Sequence, residues 1–156
     1  MNLVKYPNPI LTTPCQEFDF KNPIRDPNDL ALDLLSFMIE NNSIGLSANQ
    51  VGIPYRVLVT RGEPNFAMFN PKIVFKSKTV TLLDEGCLSF PGVVCKIKRS
   101  SEIRVRFQMP SGGTTTKVFN GLTAKVIQHE IDHLDGVLFY NRANKFHRDK
   151  ALKGKR

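Results

Sequence analysis

Tryptophan is absent from this chain of 156 residues, and histidine and cysteine are scarce, with three of each. Three cysteines cannot all pair with one another, so at least one thiol is free or bound to a ligand. No apolar run approaches the roughly 20 residues of a membrane span. The N-terminal segment has neither the apolar core of a signal peptide nor the composition of a transit peptide. We therefore expect a cytoplasmic protein without a membrane partner.

Acidic residues are also few, with 14 Asp and Glu against 22 Lys and Arg, which gives a net charge of +8. Such an excess is typical of proteins with anionic partners such as nucleic acids. Much of it lies near the C-terminus, where Asp149 is the single acid among the cations Arg142, Lys145, Arg148, Lys150, Lys153, Lys155 and Arg156. A basic terminus is often only a solvated tail, so the charge supports a nucleic-acid partner weakly.

The length fits one domain with one hydrophobic core. Asp26 followed by Pro27 predicts the start of a helix that runs to about Asn41. Its predicted buried stripe is Leu30, Leu34, Leu35 and Met38. Short segments with strand-like composition and Pro or Gly between them predict antiparallel strands at residues 56–60, 66–69, 72–76, 79–83, 93–98, 102–108 and 115–119. Loops are expected at residues 43–50 and 84–92.

Residues 129–133 (HEIDH) form an HExxH motif inside a helical pattern that Gly136 closes. His129 and His133 are four residues apart, so both imidazoles project from one helix face and can hold one metal ion. Glu130 follows the first histidine, where its carboxylate can reach a metal-bound water without binding the metal. We interpret this helix as the centre of the fold. The alternative is an amphipathic helix that carries these residues by chance.

A catalytic metal site usually takes three protein ligands, and HExxH supplies two. The extended pattern HExxHxxGxxH is matched as far as Gly136, but its last position is Phe139, and no glutamate follows Glu130. Upstream, Cys87 lies in a predicted loop where its thiolate could point at a ligand, and one Cys with two His suits zinc or iron. From spacing alone other candidates stay open, namely Asp135, Asp149, His147, Cys15 and Cys95.

The prediction is thus an α+β fold, with antiparallel strands packed around the central HExxH helix and a second helix nearer the N-terminus. We assign residues 1–142 to one catalytic domain and residues 143–156 to a short basic tail.

Three segments together resemble the signature motifs of the peptide deformylase family, in the same order: residues 45–50 (GLSANQ), 85–89 (EGCLS) and 129–133 (HEIDH). The lead at residues 4–11 and the Asn70-Pro71 pair extend the resemblance over roughly residues 1–142. The first motif departs from the family pattern, because Ser43 replaces a Gly and Ser47 an Ala. The short segment after the metal helix resembles truncated members found in viruses and some other lineages. A viral source would place the protein in the host-cell cytoplasm.

The resemblance implies metal-dependent hydrolysis of the N-formyl group from the N-terminal formyl-methionine of newly synthesised polypeptides. It implies Cys87, His129 and His133 as ligands of one divalent ion, natively ferrous iron, with zinc, nickel or cobalt possible in preparations. Such an ion lowers the pKa of bound water toward ~7. Glu130 would accept the proton and return it to the leaving amine.

The resemblance also implies the substrate contacts. Gln50 and the backbone N–H of Leu88 occupy the family's positions for stabilising the oxyanion. Ile44 and Gly45 would pair with the peptide backbone as a strand does. Gly86 and Val126 complete the substrate site, with an apolar pocket for methionine near Ile44, Val126 and His129.

Two other functions compete with this interpretation. An HExxH endopeptidase of another type is disfavoured because its usual downstream ligand is missing. A basic RNA-binding module would need aromatic or basic residues spread along a strand face, and Phe107 close to Arg104 and Arg106 is the only hint. A weak association of the basic tail with the ribosome, whose surface is RNA, is a further expectation.

Overall fold

The computed structural model describes residues 1–153 of the chain. Three α-helices are present in this part, and they are α1 (Pro27–Glu40), α2 (Gly121–Leu134) and α3 (Lys145–Leu152). The seven strands are β1 (Gly45–Ser47), β2 (Val57–Thr60), β3 (Phe66–Lys76), β4 (Val80–Cys87), β5 (Phe90–Ser100), β6 (Glu102–Gln108) and β7 (Thr114–Asn120). The predicted α+β fold with antiparallel strands is confirmed. None of the three helices has both the length and the apolar character that a bilayer span requires.

The strands form two antiparallel sheets. Five of them pair in the order β1-β2-β3-β6-β7, and β4 with β5 makes a separate two-stranded sheet. Side chains alternate between the faces of a strand, and β2 shows the consequence. Val57 and Val59 pack with α1, whereas Leu58 between them packs with α2. The two long helices therefore cover opposite faces of the larger sheet.

The two long helices begin and end where their sequences indicate. Asp26 caps α1, because its side chain accepts hydrogen bonds from the backbone N–H groups of Asn28 and Asp29. Beyond the end of α2, Gly136 has φ of +73°, a conformation that glycine adopts without strain. The apolar side of α2 packs on the larger sheet through Ala124, Ile127, Ile131 and Leu134. Its other side faces β4 and β5.

Several predicted loop and strand boundaries were wrong. Residues 45–47 and 90–92, predicted as loop, belong to β1 and β5, because β1 pairs with β2 and β5 pairs with β4. Residues 66–69 and 72–76 belong to one strand, β3, because shifts of register around Asn70 and Pro71 let pairing continue past a proline that cannot donate a hydrogen bond. Residues 84–87, predicted as loop, continue β4 up to Cys87. Asp84, Glu85 and Gly86 have low strand propensity, but pairing with β5 overrides it.

The segment after α2 is ordered. Residues 139–142 form a short 3-10 turn, and α3 follows with Leu152 buried in a cluster that contains Phe90, Cys95 and Phe139. Residues 145–152 are thus not the frayed terminus that a solvated tail would form. The tail residues Lys155 and Arg156 lie outside the described residues.

Candidate metal centre

Three predicted ligands converge on one point. Cys87 comes from the last position of β4, and His129 and His133 come from successive turns of α2. Their ligand atoms all lie within 4.8 Å of one another. His133 Nε2 is 3.2 Å from Cys87 Sγ and 3.2 Å from His129 Nε2. Atoms that share one tetrahedral ion at 2.0–2.3 Å are roughly 3.3–3.7 Å apart. One thiolate and two imidazoles at these separations therefore fit a zinc or ferrous ion.

The remaining cysteines lie elsewhere. Cys15 packs against the cluster between α2 and the larger sheet, and Cys95 of β5 is buried in the cluster that contains Phe90 and Phe139. Burial raises the pKa of Cys15 to about 11 and also raises that of Cys95 above its ordinary value. Both thiols thus stay protonated at neutral pH, and the described residues group neither of them with the two histidines.

Glu85 orients the first histidine. His129 Nδ1 donates to Glu85 Oε1 at 2.7 Å, so Nε2 of the same ring faces Cys87 and His133. Burial alone would raise the pKa of Glu85, but hydrogen bonds from His129 and Arg99 outweigh it and lower that pKa to about 2. A carboxylate behind a ligating histidine fixes its tautomer and increases its basicity.

A buried ion-pair network supports Glu85. Arg99 donates to both oxygens of Glu85, at 2.8 and 3.0 Å, and to Asp132 at 2.6 Å. Arg142 donates to both oxygens of Asp132. The network joins the β4–β5 sheet to α2, because Arg99 of β5 contacts both Glu85 of β4 and Asp132 of α2. Removal of one member would leave a buried charge unpaired.

The second histidine, His133, is positioned by a hydrogen bond to its backbone, and its ring is buried. Asn49, in the 3-10 turn after β1, donates from Nδ2 to the His133 carbonyl oxygen at 2.7 Å. Burial and the neighbouring His129 lower the pKa of His133 well below its ordinary value. A neutral imidazole is the form that binds a metal.

Glu130 is buried beside the ligands, and burial raises its pKa to about 7. Its Oε1 has no hydrogen-bond partner among the described residues. Gly45 of β1 lies directly against it, because a Cβ at this position would be 2.8 Å from Glu130 Oε2 and 2.5 Å from Val126 Cγ1. The glycine therefore lets the β1 backbone approach a carboxylate that can exchange a proton near neutral pH.

Gln50 points its amide nitrogen at Cys87, one of the three predicted ligands. Its Oε1 accepts from the N–H and the hydroxyl of Ser47, each at 3.0 Å, which fixes the orientation of the amide. Its Nε2 donates to Cys87 Sγ at 3.3 Å and to Ser89 Oγ at 3.2 Å. Ser47, which departs from the family pattern, thus adds a hydrogen bond to Gln50.

The predicted site residues line one cleft of about 570 Å³. Cys87, His129, Glu130 and Gln50 are among its lining residues. The predicted substrate contacts also line it, and they are Ile44, Gly45, Gly86, Leu88 and Val126. The structure therefore brings every predicted site residue to this cleft except His133. His133 does not line the cleft, but it contacts Cys87 and His129, which do.

Sequence reasoning missed the supporting residues Glu85, Arg99, Asp132, Arg142 and Asn49. A signal was present for Arg99, because it follows Cys95 and Ile97 at every second position of β5 and shares their inward-facing register. Glu85, Asn49 and Asp132 lie inside the three motifs already recognised.

Comparison with known proteins assigns the chain to a family. The Polypeptide deformylase family model matches residues 1–149. A peptide deformylase of Rhizobium meliloti (strain 1021) is 36% identical over 160 residues, which cover 97% of this chain and 89% of the relative. Peptide deformylase 2 of Prochlorococcus marinus (strain MIT 9313) is 43% identical over 120 residues, which cover 73% of this chain and 60% of the relative. The chloroplastic peptide deformylase 1B of Oryza sativa subsp. japonica is 35% identical over 149 residues, which cover 91% of this chain and 54% of the relative. The chain thus spans less than two thirds of the last two relatives.

Solved structures show the same fold. A peptide deformylase from Synechococcus elongatus in complex with actinonin aligns with a TM-score of 0.90 and 31% identity, covering 99% of this chain and 87% of that one. A Plasmodium falciparum peptide deformylase complex with inhibitor aligns with a TM-score of 0.89 and 33% identity, covering 99% and 96%. With the match over residues 1–149, these likenesses show that the chain belongs to the polypeptide deformylase family.

Proposed function

We propose that this protein hydrolyses the N-formyl group from the N-terminal formyl-methionine of newly synthesised polypeptides. The observation that carries the proposal is the convergence of Cys87, His129 and His133 beside the buried carboxylate of Glu130, in a member of this family. The reaction adds water to the formyl carbonyl, breaks its C–N bond, and releases formate and a free amine.

Cys87, His129 and His133 would hold one divalent ion, and we propose ferrous iron as the native one. Zinc, nickel and cobalt also suit this ligand set. When bound, the ion supplies Lewis acidity and lowers the pKa of water at the site. Glu85 and Arg99 keep the His129 ring in the orientation that this binding needs.

Glu130 serves as the proton carrier. Its buried side chain lines the cleft, and its raised pKa of about 7 suits both acceptance and return of a proton at neutral pH. It would take a proton from the attacking water and give it to the nitrogen of the leaving amine.

Two donors can stabilise the negative charge that develops on the formyl oxygen. The Gln50 amide is fixed by Ser47 and directs Nε2 toward Cys87. Leu88 follows Cys87 in the turn between β4 and β5 and lines the cleft. Donors that are already in position stabilise the transition state without a cost of reorganisation.

The cleft suits an extended peptide. It lies between two edge strands, β1 with Gly45 and β4 with Gly86. A peptide between them can hydrogen-bond with the backbone of both, as in other cases of strand addition. Ile44 and Val126 line the same cleft and offer apolar surface to the methionine side chain.

The test compares two matched peptides. Protein purified without oxygen and with measured metal content is incubated with a formyl-Met peptide and with its N-acetyl counterpart. The proposal predicts a new amine from the formyl peptide alone. Cleavage of an internal bond in either peptide would instead favour an HExxH endopeptidase.

Ribosome association through the basic C-terminal segment remains a proposal. Deletion of residues 145–156 would remove the buried Leu152 and disturb packing, so replacement of the exposed Lys150 and Lys153 by Gln is a cleaner test. Docking predicts weaker co-sedimentation with ribosomes at low salt and unchanged hydrolysis of a short peptide. Unchanged co-sedimentation would exclude the proposal.

We also propose that the protein acts in the cytoplasm. The Oryza sativa relative is chloroplastic by name, so the compartment needs its own test. Fractionation of source cells should recover the chain with cytoplasmic markers, and recovery with an organelle would contradict the proposal.

A further inference from the structure

A second surface of the molecule carries positive charge away from the cleft. Helix α1 packs on β1, β2 and the first half of β3. The same face of the sheet continues onto β6 and β7. Exposed and buried side chains alternate along β6, and most side chains of β7 are exposed. Arg104 and Arg106 of β6 point outward, because Ile103, Val105 and Phe107 between them are buried against α2.

This face also carries an aromatic ring. Phe75 of β3 is the register partner of Arg104, and 46% of its surface is exposed. The Arg104 guanidinium lies 5.8 Å from the centre of the Phe75 ring. Val118 of β7, the other register partner of Arg104, is also exposed. Because the guanidinium lies over the ring, a nucleotide base can stack on the exposed part of the ring or on the outer face of the guanidinium.

Two further cations, Lys72 and Lys76, lie in the part of β3 that extends beyond its pairing with β2. Lys72 is the register partner of Arg106 and also borders a polar cleft of about 380 Å³ that Lys76 lines. The two acids of that cleft are already paired, Asp132 with Arg99 and Arg142, and Asp135 with Arg56. Glu102 is the single acidic residue of β6, two positions before Arg104.

Four cations are therefore available to a ligand. Lys72, Lys76, Arg104 and Arg106 have no ion-pair partner among residues 1–153, and all four are exposed. We define them, together with Phe75, as the β3–β6 surface. Alternate residues of a strand are about 7 Å apart, so Arg104 and Arg106 can contact neighbouring phosphates of one nucleotide chain.

We propose that the β3–β6 surface binds single-stranded RNA, with phosphates on the four cations and a base on Phe75. An acidic polypeptide would satisfy the charges but would leave the exposed ring without a planar partner. The surface contains no residue of the formyl-peptide cleft, so the proposal is independent of the proposed catalytic function.

Fluorescence anisotropy of the full chain with a labelled 12-nucleotide oligo(U) tests the proposal. For four phosphate contacts, the log of the binding constant should fall with the log of salt concentration at a slope of about −3. Arg104→Gln/Arg106→Gln should reduce that slope by about half. Lys96→Gln/Lys98→Gln, which removes two exposed cations at the same spacing from β5, should leave the slope and the affinity nearly unchanged.

Stacking has a different signature. Phe75→Ala should weaken binding about fivefold or more with an unchanged salt slope, whereas Phe75→Tyr should retain the affinity. Thermal unfolding of each variant shows whether the fold is intact. The proposal is wrong if oligo(U) does not bind at 50 mM salt, if the β5 control weakens binding as much as the β6 variant, or if polyglutamate of equal charge displaces the RNA equally well.

Discussion

Glu85 Oε1 and His129 Nδ1 lie 2.7 Å apart, and this contact determines which nitrogen of His129 faces the other two ligands. The same carboxylate accepts two hydrogen bonds from Arg99, which also pairs with Asp132. The orientation of His129 and the packing of β4–β5 against α2 therefore both involve one buried side chain.

Replacement of Glu85 should affect both properties. Glu85→Ala should lower metal affinity by about 10- to 100-fold, because His129 loses its orienting partner. It should also destabilise the protein by about 3–5 kcal/mol, since Arg99 stays buried with fewer partners. Metal titration and urea unfolding measure the two effects. Glu40→Ala, at an exposed helix end, is the control and should change neither. Wild-type metal affinity in Glu85→Ala would show that the contact is not needed.

Glu130 should be separable from metal binding. Glu130→Ala should retain the ion, because the three proposed ligands are other residues, but should lose turnover by about 10²–10⁴-fold or more with the proposed proton carrier absent. Metal analysis and the amine-release assay on one preparation decide the point. Loss of the metal in this variant would make Glu130 a ligand and contradict its assigned role.

The three cysteines should behave differently. Cys87→Ser should reduce metal content severely, whereas Cys15→Ser and Cys95→Ser should leave it unchanged, because only Cys87 lies beside the two histidines. Burial raises the pKa of both other thiols, so iodoacetamide at pH 7.5 should modify them slowly. Equal metal content in all three variants would remove Cys87 from the site.

Two glycines that border the cleft should differ in tolerance. Gly45→Ala places a methyl group 2.5 Å from Val126 Cγ1 and 2.8 Å from Glu130 Oε2, so β1 or Glu130 must move. We expect a loss of about 1–3 kcal/mol in stability and of about 100-fold in turnover. Gly86→Ala meets its nearest atom at 3.6 Å, an ordinary contact, and should unfold as the wild type does. Equal stability of the two variants would contradict the packing described for β1.

Local patterns were sufficient for the two long helices and the HExxH motif, but α3 lies where the sequence predicted a basic tail. The Asp26 cap and the helical spacing around His129 depend on neighbouring residues, so the sequence states them directly. The extension of β4 through Glu85 and the continuation of β3 past Pro71 depend on pairing with distant strands, which propensity does not report. The role of Arg99 required knowledge of what faces it, and its inward register on β5 was the one available sign.

The most direct test of the account measures both products of the reaction. Protein reconstituted without oxygen with one equivalent of ferrous iron is incubated with a formyl-Met tripeptide, and formate and free amine are quantified together over time. The account predicts equal amounts of the two products, formed catalytically by the wild type and nearly absent with Glu130→Ala at the same iron content. Absence of both products from fully loaded wild-type protein would contradict it.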